Sequence, residues 1–165
     1  MISIKKISYE DTDDIVRWRN SELVRKNFIF REFFTREIHE NWMRTQVDTG
    51  KVVQFIIYEN DRKVGSVYLR DIDKKNDKAE FGIFIGEEDC LGRGIGPESA
   101  RLILNYGFDE LKLNKIYLRV LAKNIRAIKS YEKIGFINEG IHRQDVILDD
   151  KAQDVIFMSI LKEEW

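Results

Sequence analysis

The stretch Leu91-Gly92-Arg93-Gly94-Ile95-Gly96 sets three alternating glycines after the apolar run Ile83-Phe84-Ile85 and ahead of Pro97 and a helix-like segment. Glycine lets a backbone turn tightly and lets a ligand approach it closely. A helix start adds unpaired N–H groups and the positive end of the helix dipole. Together these suit a phosphate, and Arg93 adds charge. The Walker phosphate loop is absent, because no Gly-Lys-Ser/Thr follows. The dinucleotide pattern G-x-G-x-x-G is missed, because position 97 is proline. Taken alone, the same residues also describe a plain strand-to-helix turn.

A second pattern is Asn124-x-x-Ala127-x-x-x-Tyr131-x-x-x-Gly135-Phe136. Residue by residue it is a well-formed helix, with Asn124 a cap, Ala127 a packing position, Tyr131 a core aromatic and Gly135 the stop. Glu80 precedes the glycine loop on a strand-like stretch and shares a face with Gly82 and Phe84 by alternation. A carboxylate there can hold a water or sit in an ordinary salt bridge. His142 and Asp145 are weaker candidates for proton transfer. Upstream, Arg25, Lys26, Arg31 and Arg36 are interleaved with Phe28, Phe30, Phe33 and Phe34. Such a cluster attracts anions and repels polycations, although Glu32, Glu37 and Glu40 blunt it. A solvated basic face has the same composition. His39 and His142 do not form a metal-binding pair by spacing, and the single cysteine, Cys90, excludes an internal disulfide and a cysteine metal cluster.

These residues need elements to position them. Ile2–Ile7 alternates as a short strand, and Asp11–Asn20, acidic at its front, reads as a helix. Leu23–Phe34 fits no single element. Thr35 caps a second helix through Gln46. Then the period changes. Val52–Glu59 and Lys63–Asp71 form a hairpin about Asn60-Asp61, and Ala79–Ile85 is a strand whose apolar content on both faces predicts helices on both sides. A helix begins at Pro97 and runs to about Glu110. Lys115–Leu121 is a strand, a helix lies between Asn124 and Gly135, and Gly140–Leu148 and Ala152–Leu161 are strands joined at Asp149-Asp150. The fold class is α/β, a mixed, mostly antiparallel sheet of about seven strands flanked by four helices.

At 165 residues the chain is expected to be one domain over 1–165. Hydrophobic residues at 43% and aromatics at 12% argue against disorder. Lys plus Arg number 28 and Asp plus Glu 29, so no global affinity for nucleic acid or an anionic membrane is expected. No stretch approaches the ~20 apolar residues of a membrane span, and the amino end has no long apolar run after its charges. A cytoplasmic location is the expectation.

With the strand Lys115–Leu121 between the two patterns, Ala79–Phe136 resembles the acetyl-CoA-binding core of the GNAT superfamily of N-acetyltransferases. That family's loop is Q/R-x-x-G-x-G/A followed by a helix. Leu91 stands at the Q/R place, and Gly94 and Gly96 match the small positions. Asn124, Ala127, Tyr131, Gly135 and Phe136 match the downstream pattern fully. Two departures stand out: Leu91 has no polar side chain, and Pro97 has no N–H to donate. The resemblance implies acetyl-CoA as co-substrate and no metal. It places the cofactor on Phe84, Ile85, Gly92, Arg93, Gly94, Ile95, Gly96, Asn124 and Ala127.

It also implies direct transfer of acetyl to a primary amine. An alkylamine of pKa near 10.4 is only ~0.04% neutral at pH 7, so a proton must leave the amine and another must reach the departing thiolate. The resemblance puts Tyr131 in the donor role, and Glu80 is the candidate acceptor, through a water. Retention of both argues against the competing class, a catalytically idle acyl-CoA-binding module. Ala79-Glu80-Phe81-Gly82 and Gly135-Phe136-Ile137-Asn138-Glu139-Gly140 are similar to ribosomal-protein alanine and spermidine N-acetyltransferases. The stretch from Trp18 to Asn27 is similar to aminosugar-nucleotide N-acetyltransferases, which implicates Trp18, Arg19, Asn20, Arg25 and Phe28 in acceptor binding. The expected acceptor is a UDP-linked 4-amino sugar, with a polyamine such as spermidine, and then a protein N-terminus, as alternatives. The expected partner is a small-molecule amine, with no nucleic acid and no membrane, and a homodimer is left open.

Overall fold

Strand β1, Ile2–Lys6, is one edge of a seven-stranded sheet in the computed structural model, which describes residues 1–165. Helix α1, Thr12–Asn20, follows. The single turn α2, Glu22–Arg25, comes next, with the Ser21 hydroxyl accepting from the Val24 N–H. Helix α3, Arg36–Trp42, starts where Thr35 Oγ1 accepts from Ile38 N at 3.2 Å, and it continues as a wider turn through Val47. Then come β2, Val53–Glu59, β3, Arg62–Asp73, and β4, Lys78–Ile85. Helix α4, Ile95–Asn105, leads to β5, Lys115–Leu121. Helix α5, Ile125–Ile134, leads to β6, Ile137–Leu148, and β7, Lys151–Leu161.

The strand count and order agree with the expectation. There is one helix more than expected, the short α2, which lies in the stretch that fitted no element. Strand β6 begins before Gly140, because that glycine sits at a bulge inside the strand with φ +146°. Pro97 is third in α4, still within the turn whose N–H groups lack helical acceptors.

The strand order is β1-β2-β3-β4-β5-β7-β6. Every neighbouring pair is antiparallel except β4 and β5. Those two pair only through Lys78, Ala79 and Glu80 with Lys115, Ile116 and Tyr117. Beyond that point Phe81–Ile85 and Leu118–Leu121 have no ladder partner across the gap, so the sheet opens at its centre. Alternation along β4 assigns its two faces. Ala79 and Phe81 join Leu69, Ile103, Leu104, Leu118 and Met158 in the core that includes α4. Phe84 joins Ile15, Trp18, Val24, Met43 and Ile56 under α1–α3. Helices thus cover both faces, as the apolar content of β4 predicts, and each buried side chain contributes about 1.5–3 kcal/mol of transfer free energy. The β3–β4 register sets Tyr68 opposite Gly82 and Arg70 opposite Glu80. No helix is long and apolar enough to cross a membrane.

Candidate active site

A cleft of about 690 Å³ occupies the opening between β4 and β5. The glycine loop forms one end of it. Gly92 and Gly94 have φ of +74° and +80°, in the left-handed region where an L side chain is strained, and Gly94 caps α4. The N–H groups of Gly92, Arg93, Gly94, Ile95 and Gly96 donate to no protein acceptor. A row of free donors at a helix start suits a phosphate group, and the unpaired edges of β4 and β5 suit a chain that carries amides. Both are features of CoA, so the residues present fit that co-substrate. Phe84, Ile85, Asn124 and Ala127 line the cleft. Asn124 also caps α5, with its Oδ1 accepting from Ala127 N at 3.3 Å.

The Arg93 side chain departs from its expected role. It pairs with Glu59 at 2.6 Å and does not line the cleft, so only its N–H remains for phosphate. Positive charge comes instead from α5, where Arg126, Lys129 and Lys133 line the cleft. Arg126 Nη2 lies 3.7 Å from the position that a Cβ on Gly92 would take.

Tyr131 also lines the cleft. Its ring stands edge-on to Phe81 at 5.9 Å, and its hydroxyl has no protein partner. Burial raises its pKa well above the ordinary phenol value, and the nearby Tyr68 phenol adds to the shift. The group is therefore a protonated donor at neutral pH. Tyr68 reaches this place because its ring lies over Gly82, in the volume a side chain there would fill.

Glu80 is buried, and both carboxylate oxygens are engaged. Oε1 accepts from Arg119 Nε at 2.9 Å and Oε2 from Arg70 Nε at 3.1 Å. Burial pushes its pKa up, but the two guanidiniums outweigh that, and the carboxyl sits below its usual range. Such a carboxylate is a weak proton acceptor, which speaks against its serving as the expected base. Cys90 is buried, its thiol held protonated by burial and by Asp89. His142 is stacked on Phe157 outside the cleft.

The front segment is redistributed. Trp18 is fully buried, donates Nε1–H to Glu87 at 2.7 Å, and packs where Gly86 has no side chain. It is a core residue and touches neither cavity. Asn20 clasps the backbone of Phe34 through both its amide atoms. Arg25 donates Nε–H and Nη2–H to the carbonyl of Arg31 and lies over Phe33. Arg31 is tied to Lys26, Phe28 and Asp149, and Arg36 to Asp13 and Glu40. The basic cluster therefore folds its own loop. Arg19 and Phe28 do reach a pocket, a side cavity of about 250 Å³ that shares Phe28, Phe30, Tyr68, Arg70 and Phe84 with the main cleft. Tyr68, Arg70, Arg119 and Arg126 are the site residues that sequence reasoning missed. The alternation of Tyr68 with Arg70 and of Tyr117 with Arg119 was the available signal.

The family model described as acetyltransferase (GNAT) domain matches residues 2–137. A protein of Bacillus subtilis strain 168, provisionally named a ribosomal N-acetyltransferase, is 30% identical over 132 residues, 80% of this chain and 71% of that protein. The spermidine N(1)-acetyltransferase of Vibrio cholerae serotype O1 is 31% identical over 135 residues, 81% of this chain and 72% of that protein. Among solved structures, the Vibrio cholerae spermidine N-acetyltransferase in complex with CoA and spermine aligns with a TM-score of 0.93, covering 99% of this chain and 96% of that one at 24% identity. Likeness at that identity speaks for the fold alone.

Proposed function

Because the chain belongs to the acetyltransferase (GNAT) domain family and is an acetyl-CoA-dependent N-acetyltransferase, we propose that it acetylates the primary amine of a small molecule by direct transfer, with Tyr131 as the proton donor. The observation that carries this reading is the phenol of Tyr131, protonated and without a protein partner, in the opening between β4 and β5.

Acetyl-CoA supplies an acetyl group activated as a thioester. The N–H groups of Gly92–Gly96 and the side chain of Arg126 hold phosphate at one end of the cleft. The unpaired edges of β4 and β5 align the rest. The amine lone pair forms the new C–N bond as the C–S bond breaks, and Tyr131 Oη gives its proton to the departing sulfur. The ammonium loses one proton to water before attack, the nitrogen loses a second as the amide forms, and a proton from water restores the Tyr131 phenol. Arg70 and Arg119 support the first of these losses, because a neighbouring positive charge disfavours the ammonium form. Glu80 positions those guanidiniums.

Of the acceptors expected from sequence, the names of the relatives support spermidine or another polyamine, and a protein N-terminus, over the UDP-linked 4-amino sugar. The test is thiol release from acetyl-CoA across a panel of primary amines. Amine-dependent release is the expected result. Acetyl-CoA binding without release on any amine would favour an idle acyl-CoA-binding module.

A further inference from the structure

Resting on the N-acetyltransferase reading, we propose that the acceptor is a small amine bearing a carboxylate or phosphate, and that the side cavity holds this anion while the amine lies in the main cleft. Among all residues lining the two cavities, Glu80 is the only carboxylate, and its oxygens are taken by Arg70 and Arg119. Arg19 has no carboxylate partner. Its guanidinium lies over Phe28 at 4.0 Å and over Phe34 at 4.5 Å, and its one hydrogen bond is a long one, 3.4 Å to the Phe30 carbonyl. Arg70 uses only Nε toward Glu80, so its two terminal nitrogens remain as donors. The Tyr68 hydroxyl has no protein partner.

His39 adds an independent sign. It lines the side cavity, is 1% exposed, and its Nε2 is buried with no hydrogen-bond partner. Its Nδ1 is 3.1 Å from Thr12 Oγ1. With Nδ1 accepting from that hydroxyl, Nε2 carries an N–H. Buried donors left unpaired are costly, and a carboxylate or phosphate satisfies several at once. A polyamine finds the opposite lining, two guanidiniums and no free carboxylate inside either cavity, with Glu32 acting on Arg19 from outside them. The volume near 250 Å³ fits the anionic end of a small molecule.

The test uses matched acceptors: 5-aminopentanoate against its amide, glucosamine 6-phosphate against glucosamine, and spermidine. The expected result is at least ten-fold higher kcat/KM for the anionic member of one pair, and which pair responds identifies the anion. Arg19→Gln should bring that preference within about two-fold through KM, and Arg19→Lys should keep most of it. A binding measurement stands apart from turnover. Inorganic phosphate and acetate are titrated into the CoA complex while intrinsic tryptophan fluorescence is followed, Trp42 being the one of the three tryptophans that lines the side cavity. A saturable response to either, weakened at least ten-fold in Arg19→Gln, supports the inference. If Arg19→Gln does not fold, Tyr68→Phe removes one donor and takes its place. No saturable response to either anion, or spermidine as the best acceptor, overturns the inference and leaves the N-acetyltransferase reading intact. Absence of thiol release with every amine overturns that reading, while the titration still decides whether the cavity binds anions.

Discussion

Arg119 Nε stands 2.9 Å from Glu80 Oε1 at the point where β4 and β5 part. Glu80 is the last residue of β4 that pairs with β5, opposite Tyr117, and Arg119 is two residues further along the same face. The ion pair thus ties the base of the opening in which the thioester is expected to lie, and Arg70 braces it from β3.

Removing that carboxylate leaves two guanidiniums facing each other in a partly buried place. Glu80→Gln is expected to lose about 3 kcal/mol of stability, measured by urea denaturation, and to lose turnover with it. A Glu80→Gln enzyme of unchanged stability whose rate falls only at neutral pH would restore Glu80 as a base.

The glycine loop separates backbone demand from crowding. A Cβ at Gly94 meets nothing within 4 Å, but φ there is +80°, so Gly94→Val costs about 1–2 kcal/mol of backbone strain. It should lower CoA affinity by at least ten-fold in calorimetry. Gly96 is helical and equally open, so Gly96→Ala should fold at least as well as wild type. Equal CoA affinity for Gly94→Val and wild type would reject the phosphate site.

Arg126 lines the cleft beside Gly92 and has no carboxylate partner. Arg126→Ala should weaken CoA about ten-fold and flatten the salt dependence of binding, because one fewer cation faces phosphate. An unchanged salt dependence would place Arg126 outside the phosphate site.

His39 makes folding sensitive to mild acid. Burial lowers its pKa from 6.5 to about 4, with Glu40 and Asp11 opposing and Arg19 and Arg36 assisting. Above pH 6.5 the ring is neutral in both states and costs nothing. Between pH 6.5 and 4 the unfolded chain takes up a proton that the folded chain refuses, so stability falls as pH falls, by roughly 3 kcal/mol in total. Below pH 4 this contribution levels off. The lowered carboxyls of Asp11 and Glu80 add losses at lower pH. Denaturation midpoints at pH 7.5, 6 and 5 should decline in wild type and stay level in His39→Gln. Parallel declines in both proteins would show that His39 is not the source.

Local signals were legible in the sequence. Asn124 and Gly135 bound α5 because a cap and a left-handed stop are set by adjacent residues. Asp149 and Asp150, both at positive φ, turn the last hairpin where the polar pair predicts it. The glycine loop is legible because the positive φ of Gly92 and Gly94 is a local backbone demand that glycine meets without strain. What escaped depends on distant partners. Trp18 is a core residue because Gly86, far along the chain, leaves room for an indole. Asn20 and Arg25 read as free polar side chains in the sequence, whereas in the fold they clasp their own loop. The charge state of Glu80 is set by strand register, which places Arg70 and Arg119 on either side of it. Composition of one segment carries none of that.

The proposed role of Tyr131 is to deliver the proton to the departing sulfur. Tyr131→Phe removes one hydroxyl and keeps the ring packed on Phe81 and Phe136. The measurement is kcat for thiol release on the best amine, with CoA affinity and melting temperature determined on the same samples. As proton donor, Tyr131 should cost about 10²–10⁴-fold in kcat when lost, with affinity and stability unchanged. A variant with wild-type kcat would contradict it and leave Tyr131 a packing residue.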